Sequence, residues 1–257
     1  MNFLTKKRVW IVAVPVLLYL GYETLLSRKL SPPSDSERVT VSFRVPAGVT
    51  LLPLGGLYQS DKCTNTRFTG AFTPYKEGAT TGVSLPFVSG DGNLQTVSIP
   101  KDGGGRCRWK LSSVRVGFRV ADDNPLAKGK EVIETSYIFD LWGYGASEGF
   151  GAGRSKEASG DLDIRTDFFP EVFISHVSKK KTVELFGGDT DYEKWSRRYQ
   201  LSDAENIFIA PIVHFNKVVT LEGPSHRPGH LTVNYPDGSS AEPLHISPDY
   251  EKLLSMK

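Results

Sequence analysis

Polar and apolar residues alternate strictly over residues 39–45. Val39, Val41, Phe43 and Val45 share one side, and Thr40, Ser42 and Arg44 share the other. A period of two marks a half-buried β-strand. The same V-x-V-x-F-R-V order returns over residues 114–120. Two sandwich-like subdomains would produce that echo. Nothing flanking the copies matches, so convergence on a favourable strand pattern is the preferred reading. Further strands are expected over residues 83–88, 96–99, 132–142, 162–164, 172–176, 182–186, 207–209, 218–221 and 231–235. Turn-forming clusters separate many of them, as at residues 89–93, 102–105 and 122–125. Many short strands with this punctuation predict a mainly β domain, a sandwich or an open barrel.

Two short helices are expected beside the strands. Thr190-Asp191-Tyr192-Glu193 fits a capping box, and Trp195 and Tyr199 would then share one helix face. Ser247-Pro248-Asp249 reads as a second helix start, with Ser247 as N-cap and the helix running to about Met256.

The N-terminal pattern is different. Lys6-Lys7-Arg8 precedes an uncharged run over residues 9–22, which continues past Glu23 to Leu26 before Arg28-Lys29. A bilayer core needs about 20 apolar residues, with a lower limit of about 17. Residues 9–26 meet that limit with Glu23 at the interface, and Trp10 and Tyr22 sit near the ends, where amphipathic rings prefer to lie. The basic cluster predicts a cytoplasmic tail over residues 1–8, a signal anchor over 9–26 and a linker over 27–38. Residues 39–257 would form the β-rich domain, as one body or two subdomains, on the periplasmic side of a bacterial inner membrane. A cleaved signal peptide is the rival reading, but the run ends Gly21-Tyr22-Glu23-Thr24 without a small-x-small site. A buried soluble helix is the third.

Charge narrows the partners. Five of the 31 basic residues and one of the 29 acidic residues fall in residues 1–30. The remainder carries 26 basic and 28 acidic residues, which is not the balance of a nucleic-acid binder. Lys179-Lys180-Lys181 reads as a solvated turn. The two cysteines, Cys63 and Cys107, are expected to form one disulfide in an exported domain. It would close a loop of about 44 residues and contribute about 4 kcal/mol in the chain-entropy model. Two buried thiols, or a cysteine nucleophile, are the alternatives.

Candidate chemistry is sparse. Gly145-Ala146-Ser147-Glu148-Gly149 matches the G-x-S-x-G nucleophile elbow, but Phe150-Gly151-Ala152-Gly153 follows where a helix should begin. Residues 143–153 read instead as a loop presenting Tyr144 and Phe150 to a partner. Asp161 and Asp163 alternate with Leu162 and Ile164, which places the carboxylates on a solvent face. His226 and His230 flank Arg227-Pro228-Gly229, a loop sequence unsuited to an i, i+4 metal pair. No catalytic set, metal site or cofactor is expected.

An N-terminal anchor, a first strand and then Tyr58-Gln59-Ser60-Asp61-Lys62-Cys63 resembles periplasmic immunity proteins that accompany type VI secretion effectors, lipase effectors in particular. The resemblance covers the first third of the chain. It implies a protein that binds a toxic enzyme and occludes its active site. No family residues carry over, and this chain lacks the lipid-attachment cysteine that many such proteins have. The leading expectation is therefore a membrane-anchored periplasmic binding protein with a protein partner. The alternatives are an envelope structural or assembly factor and, behind it, an exported hydrolase using Ser147.

Overall fold

Frequent Gly, Pro and Asn turns interrupt the apolar runs, which leaves strand pairing as the main way to satisfy backbone N–H and C=O groups. The computed structural model describes residues 29–141, 155–188, 196–226, 229–242 and 247–257, and it is mainly β. Among the described residues, no helix is long and apolar enough to cross a membrane. The expected anchor, residues 9–26, lies outside them. The described chain divides into two units. The smaller comprises residues 29–37, 58–81 and 100–111, and the larger comprises residues 38–57, 82–99 and those from 112 onward.

The larger unit is built on three sheets, none closed into a barrel. In the five-stranded sheet, Asn206–Ile209 pairs in parallel with both Arg38–Arg44 and Leu162–Ile164. In the seven-stranded sheet, Asp167–Ser175 and Lys180–Gly187 form the long antiparallel pair. In the eight-stranded sheet, Trp109–Val120 lies between Leu54–Phe68 and Thr135–Leu141. Thr135–Leu141 in turn pairs in parallel with Ser196–Ser202. Leu54–Phe68, Pro74–Leu85 and Trp109–Val120 each contribute residues to both units.

Aromatic rings join the sheets of the larger unit. Phe118 lies 5.3 Å from Phe43 of the five-stranded sheet and 5.2 Å from Phe168 of the seven-stranded sheet. The row continues through Tyr137, Phe139 and Tyr199 by stacked contacts. The two V-x-V-x-F-R-V segments thus belong to different sheets, and their phenylalanines meet. On the opposite face, by strand alternation, Asp140 and Arg198 form a buried ion pair. Arg198 Nη2 donates to Asp140 Oδ1 at 3.1 Å, and Ser113 Oγ donates to the same oxygen at 2.8 Å. Burying two charges is costly unless their bonds are filled, and here the carboxylate holds both an arginine and a hydroxyl.

One helix expectation is corrected and one is shifted. Residues 189–195, with the capping box and Trp195, lie outside the described residues, but Tyr199 belongs to the strand Ser196–Ser202 rather than to a helix. Pairing with Thr135–Leu141 and stacking on Phe139 at 5.6 Å outweigh local helix signals there. The C-terminal helix is real but shorter, Tyr250–Leu254, and its N-cap is Asp249 rather than Ser247. The Asp249 carboxylate accepts from the Lys252 backbone N–H at 3.1 Å. Leu253 joins Phe169, Phe186, Val219, Leu221, Val233 and Tyr235 in one buried cluster on the seven-stranded sheet.

Because Phe118 touches both other sheets, Phe118→Ala is expected to lower the unfolding free energy by about 3–5 kcal/mol, as for a fully buried phenylalanine. Urea denaturation measures it. A loss below about 1 kcal/mol would show that the cavity collapses and that the ring is not a shared contact.

Candidate functional site: an aromatic-tipped hairpin

The smaller unit is organised by a hairpin. Leu54–Phe68 and Pro74–Leu85 are neighbouring strands, joined by residues 69–73. At the turn, Thr69 N–H donates to Thr73 C=O at 3.0 Å, and Phe72 N–H donates to Thr69 C=O at 2.9 Å. Arg67 Nε donates to Glu77 Oε2 at 3.1 Å across the strands. Toward its tip the hairpin loses apolar alternation, and the burial pattern of Leu54–Phe68 changes from alternately buried to exposed after Ser60.

The base is fastened covalently and by hydrogen bonds. Cys63 and Cys107 form the expected disulfide, with 44 residues of sequence separation. Ser60, buried, donates to Cys107 C=O at 2.6 Å and accepts from Cys63 N–H at 2.9 Å. Tyr58 Oη donates to Pro100 C=O at 2.7 Å. Lys110 Nζ donates to Asp102 Oδ2 at 2.7 Å, and this bond holds the Asp102 carboxyl below the usual carboxylate range.

Residues 31–37, within the segment expected as a linker, are bonded to the same unit. Ser31 N–H donates to Gly103 C=O at 2.8 Å, and Lys101 N–H donates to Glu37 C=O at 2.7 Å. Ser36 Oγ accepts from Asp102 N–H at 3.0 Å. Three consecutive glycines make the seat. A Cβ on Gly104 would lie 2.1 Å from Ser31 O, and one on Gly105 would lie 2.7 Å from Lys29 O. Gly104 and Gly105 also hold positive φ, so side chains are excluded on two grounds.

The tip exposes three rings. Phe72 is 85% exposed, Phe68 64% and Tyr75 47%. Phe72 also has φ of 58°, in the left-handed region. For a bulky residue that is an outlier costing about 1–2 kcal/mol. Gly70, in the same turn, does not occupy that region. A phenylalanine that is both strained and solvated contributes nothing to folding that glycine would not supply better. Strain of this kind gathers at sites of function.

A second group of functional side chains lies in the larger unit. His214 Nε2 is 2.6 Å from Asp167 Oδ1, and Lys257 Nζ donates to Asp167 Oδ2 at 2.9 Å. The imidazole stacks on Phe169 at 5.0 Å, and Tyr250 Oη donates to Asp167 C=O at 2.9 Å. Burial pushes the Asp167 carboxyl up, but the bonds from His214 and Lys257 outweigh it and hold the carboxyl below its ordinary value. The cluster ties Tyr250 and Lys257 to the strand Asp167–Ser175. These bonds to Asp167 from His214, Tyr250 and Lys257 fasten the C-terminal residues to that strand.

The other sequence candidates do not come together. Tyr144, Phe150 and Ser147 lie outside the described residues. Asp161 is exposed and accepts from the backbone N–H groups of Glu205 and Asn206 at 3.1 and 2.8 Å. Asp163 pairs with Arg165 at 3.1 Å. His176 lies 3.5 Å from Glu222, and His226 bonds Ser225. Lys179 occupies a turn with φ of 57°. Among the described residues, no three His, Cys, Asp or Glu side chains converge as a metal site would require. Sequence reasoning passed over Phe68, Phe72 and Tyr75. The available signal was three aromatic residues within the Gly- and Thr-rich stretch Phe68-Thr69-Gly70-Ala71-Phe72-Thr73-Pro74-Tyr75.

Asp167 sets a pH dependence of defined sign. Its carboxyl is held low in the folded chain, so its stabilising effect is complete above the unfolded value of about 3.9 and is lost as pH falls through the lower folded value. Asp167→Asn should therefore lower stability by a constant amount from about pH 4.5 to 6, with the difference shrinking toward zero in stronger acid. Denaturation of both proteins across that range measures it. A difference that persists unchanged in strong acid would refute the assignment.

No protein-family model, no curated protein and no solved structure matches this chain. What the protein does is read from its own residues.

Proposed function

We propose that this chain is a membrane-anchored binding protein of the immunity type. Its N-terminus is cytoplasmic, and its β-rich domain lies in the periplasm. It is not an enzyme. It engages one exported partner protein through the aromatic tip of the hairpin and blocks that partner's working surface. The observation that carries this reading is Phe72, an 85% exposed aromatic side chain held at φ of 58°. Aromatic residues dominate binding energy at interfaces, where few rotatable bonds make them inexpensive to order. Threonine and glycine around the rings supply adaptable polar contacts.

The fastened base supports the same reading. A disulfide and the Ser60 bonds hold the root of the hairpin, so less freedom is lost when the tip binds. The resemblance at residues 58–63 points to the same class of protein, and those residues form this root.

Phe72→Gly separates binding from folding. Glycine relieves the positive φ, so the variant should be as stable as the wild type or slightly more so. Loss of a central aromatic anchor should weaken partner binding by at least about 30-fold. The full-length tagged protein, purified with its partner from the cells that make it, provides the reagent, and calorimetry or surface plasmon resonance gives the affinities. Undiminished affinity in the Phe72→Gly protein would remove the tip from the interface.

A further inference from the structure

Resting on the anchored reading, we infer that the turn 103–108 of the smaller unit, with Lys29, lies against the bilayer and binds anionic phospholipid headgroups. The expected membrane span ends at Leu26, and the chain is seated on the glycine turn from Lys29 onward. Three residues reach at most about 11 Å. The polar layer on each side of a bilayer is itself about 5–8 Å deep. The seat at Gly104 and Gly105 therefore cannot leave the membrane surface while Ser31 remains bonded to Gly103.

The side chains carried by that turn suit the location. Arg106, Arg108 and Lys29 are all exposed. Residues 103–110 contain Arg106, Arg108 and Lys110 and no acid. Asp102, beside the turn, accepts from Lys110 Nζ at 2.7 Å and from the Gly104 N–H at 2.8 Å. Arg108 has φ of 51°, which the turn imposes between the buried Cys107 and Trp109. Cations near an anionic leaflet gain about fivefold in occupancy each, and the gain fades beyond a Debye length, which added salt shortens.

The test uses the full-length chain in nanodiscs of phosphatidylcholine alone or with one-quarter phosphatidylglycerol. Amide hydrogen exchange of residues 100–110 is read against that of residues 180–187 in the larger unit. Exchange of the turn should slow by about fivefold or more in the anionic discs, and high salt should reverse the change. The charge-reversed variant R106E/R108E should not show it. Equal exchange in the two lipids, with the chain firmly integrated, would overturn the headgroup contact and leave the anchor intact. Release of the chain by alkaline carbonate would overturn the anchor and the headgroup contact together.

Discussion

Phe118 is the ring on which the larger unit depends, because it belongs to the eight-stranded sheet and touches the other two. Its neighbours Phe43 and Phe168 come from segments 125 residues apart in sequence, and both lie within 5.3 Å of it. With so little helix among the described residues, the core of the larger unit is assembled from distant strands. The strand Trp109–Val120 carries that burden. It is buried at nearly every position, which requires its polar members to find partners. Ser112 reaches Leu57 C=O and Ser113 reaches Asp140, whose charge is answered by Arg198.

Strands that are half-buried or deeply apolar were legible from periodicity. Arg38–Arg44, Leu94–Pro100, Lys180–Gly187 and Asn206–Ile209 fall where alternation or an apolar run placed them. The distal half of Leu54–Phe68 was not legible, because Asp61, Lys62, Asn65 and Arg67 leave no apolar face for a pattern to report. Pairing with a neighbour, rather than burial, makes that segment a strand. Ser196–Ser202 was hidden for the opposite reason. Arg197 and Arg198 sit on opposite faces and both are buried, so polarity there misreports location. The disulfide was legible from the count of two cysteines together with the expected compartment. The tip was not, because φ at Phe72 is a property of the folded turn.

The function proposed for the chain follows from a division of labour between the ends of one hairpin. At the root, covalent and hydrogen bonds fix Ser60, Cys63 and Cys107. At the tip, three rings remain in water, one of them in a conformation that costs stability. Strain of this kind persists where the surrounding structure over-determines it, and it clusters at functional sites. The seat of Ser31 on Gly103 ties this unit to the segment that follows the expected span, so on the proposed reading the root of the hairpin stays near the membrane rather than at the end of a free tether.

The most direct measurement places a photoreactive benzoyl-phenylalanine at residue 72 of the full-length protein in its own cells. The same residue at Val88, also an exposed apolar position at 69%, serves as comparison. The account predicts one discrete adduct at residue 72, containing an exported protein, and none at residue 88. No adduct at residue 72, or the same adducts at both positions, would contradict it.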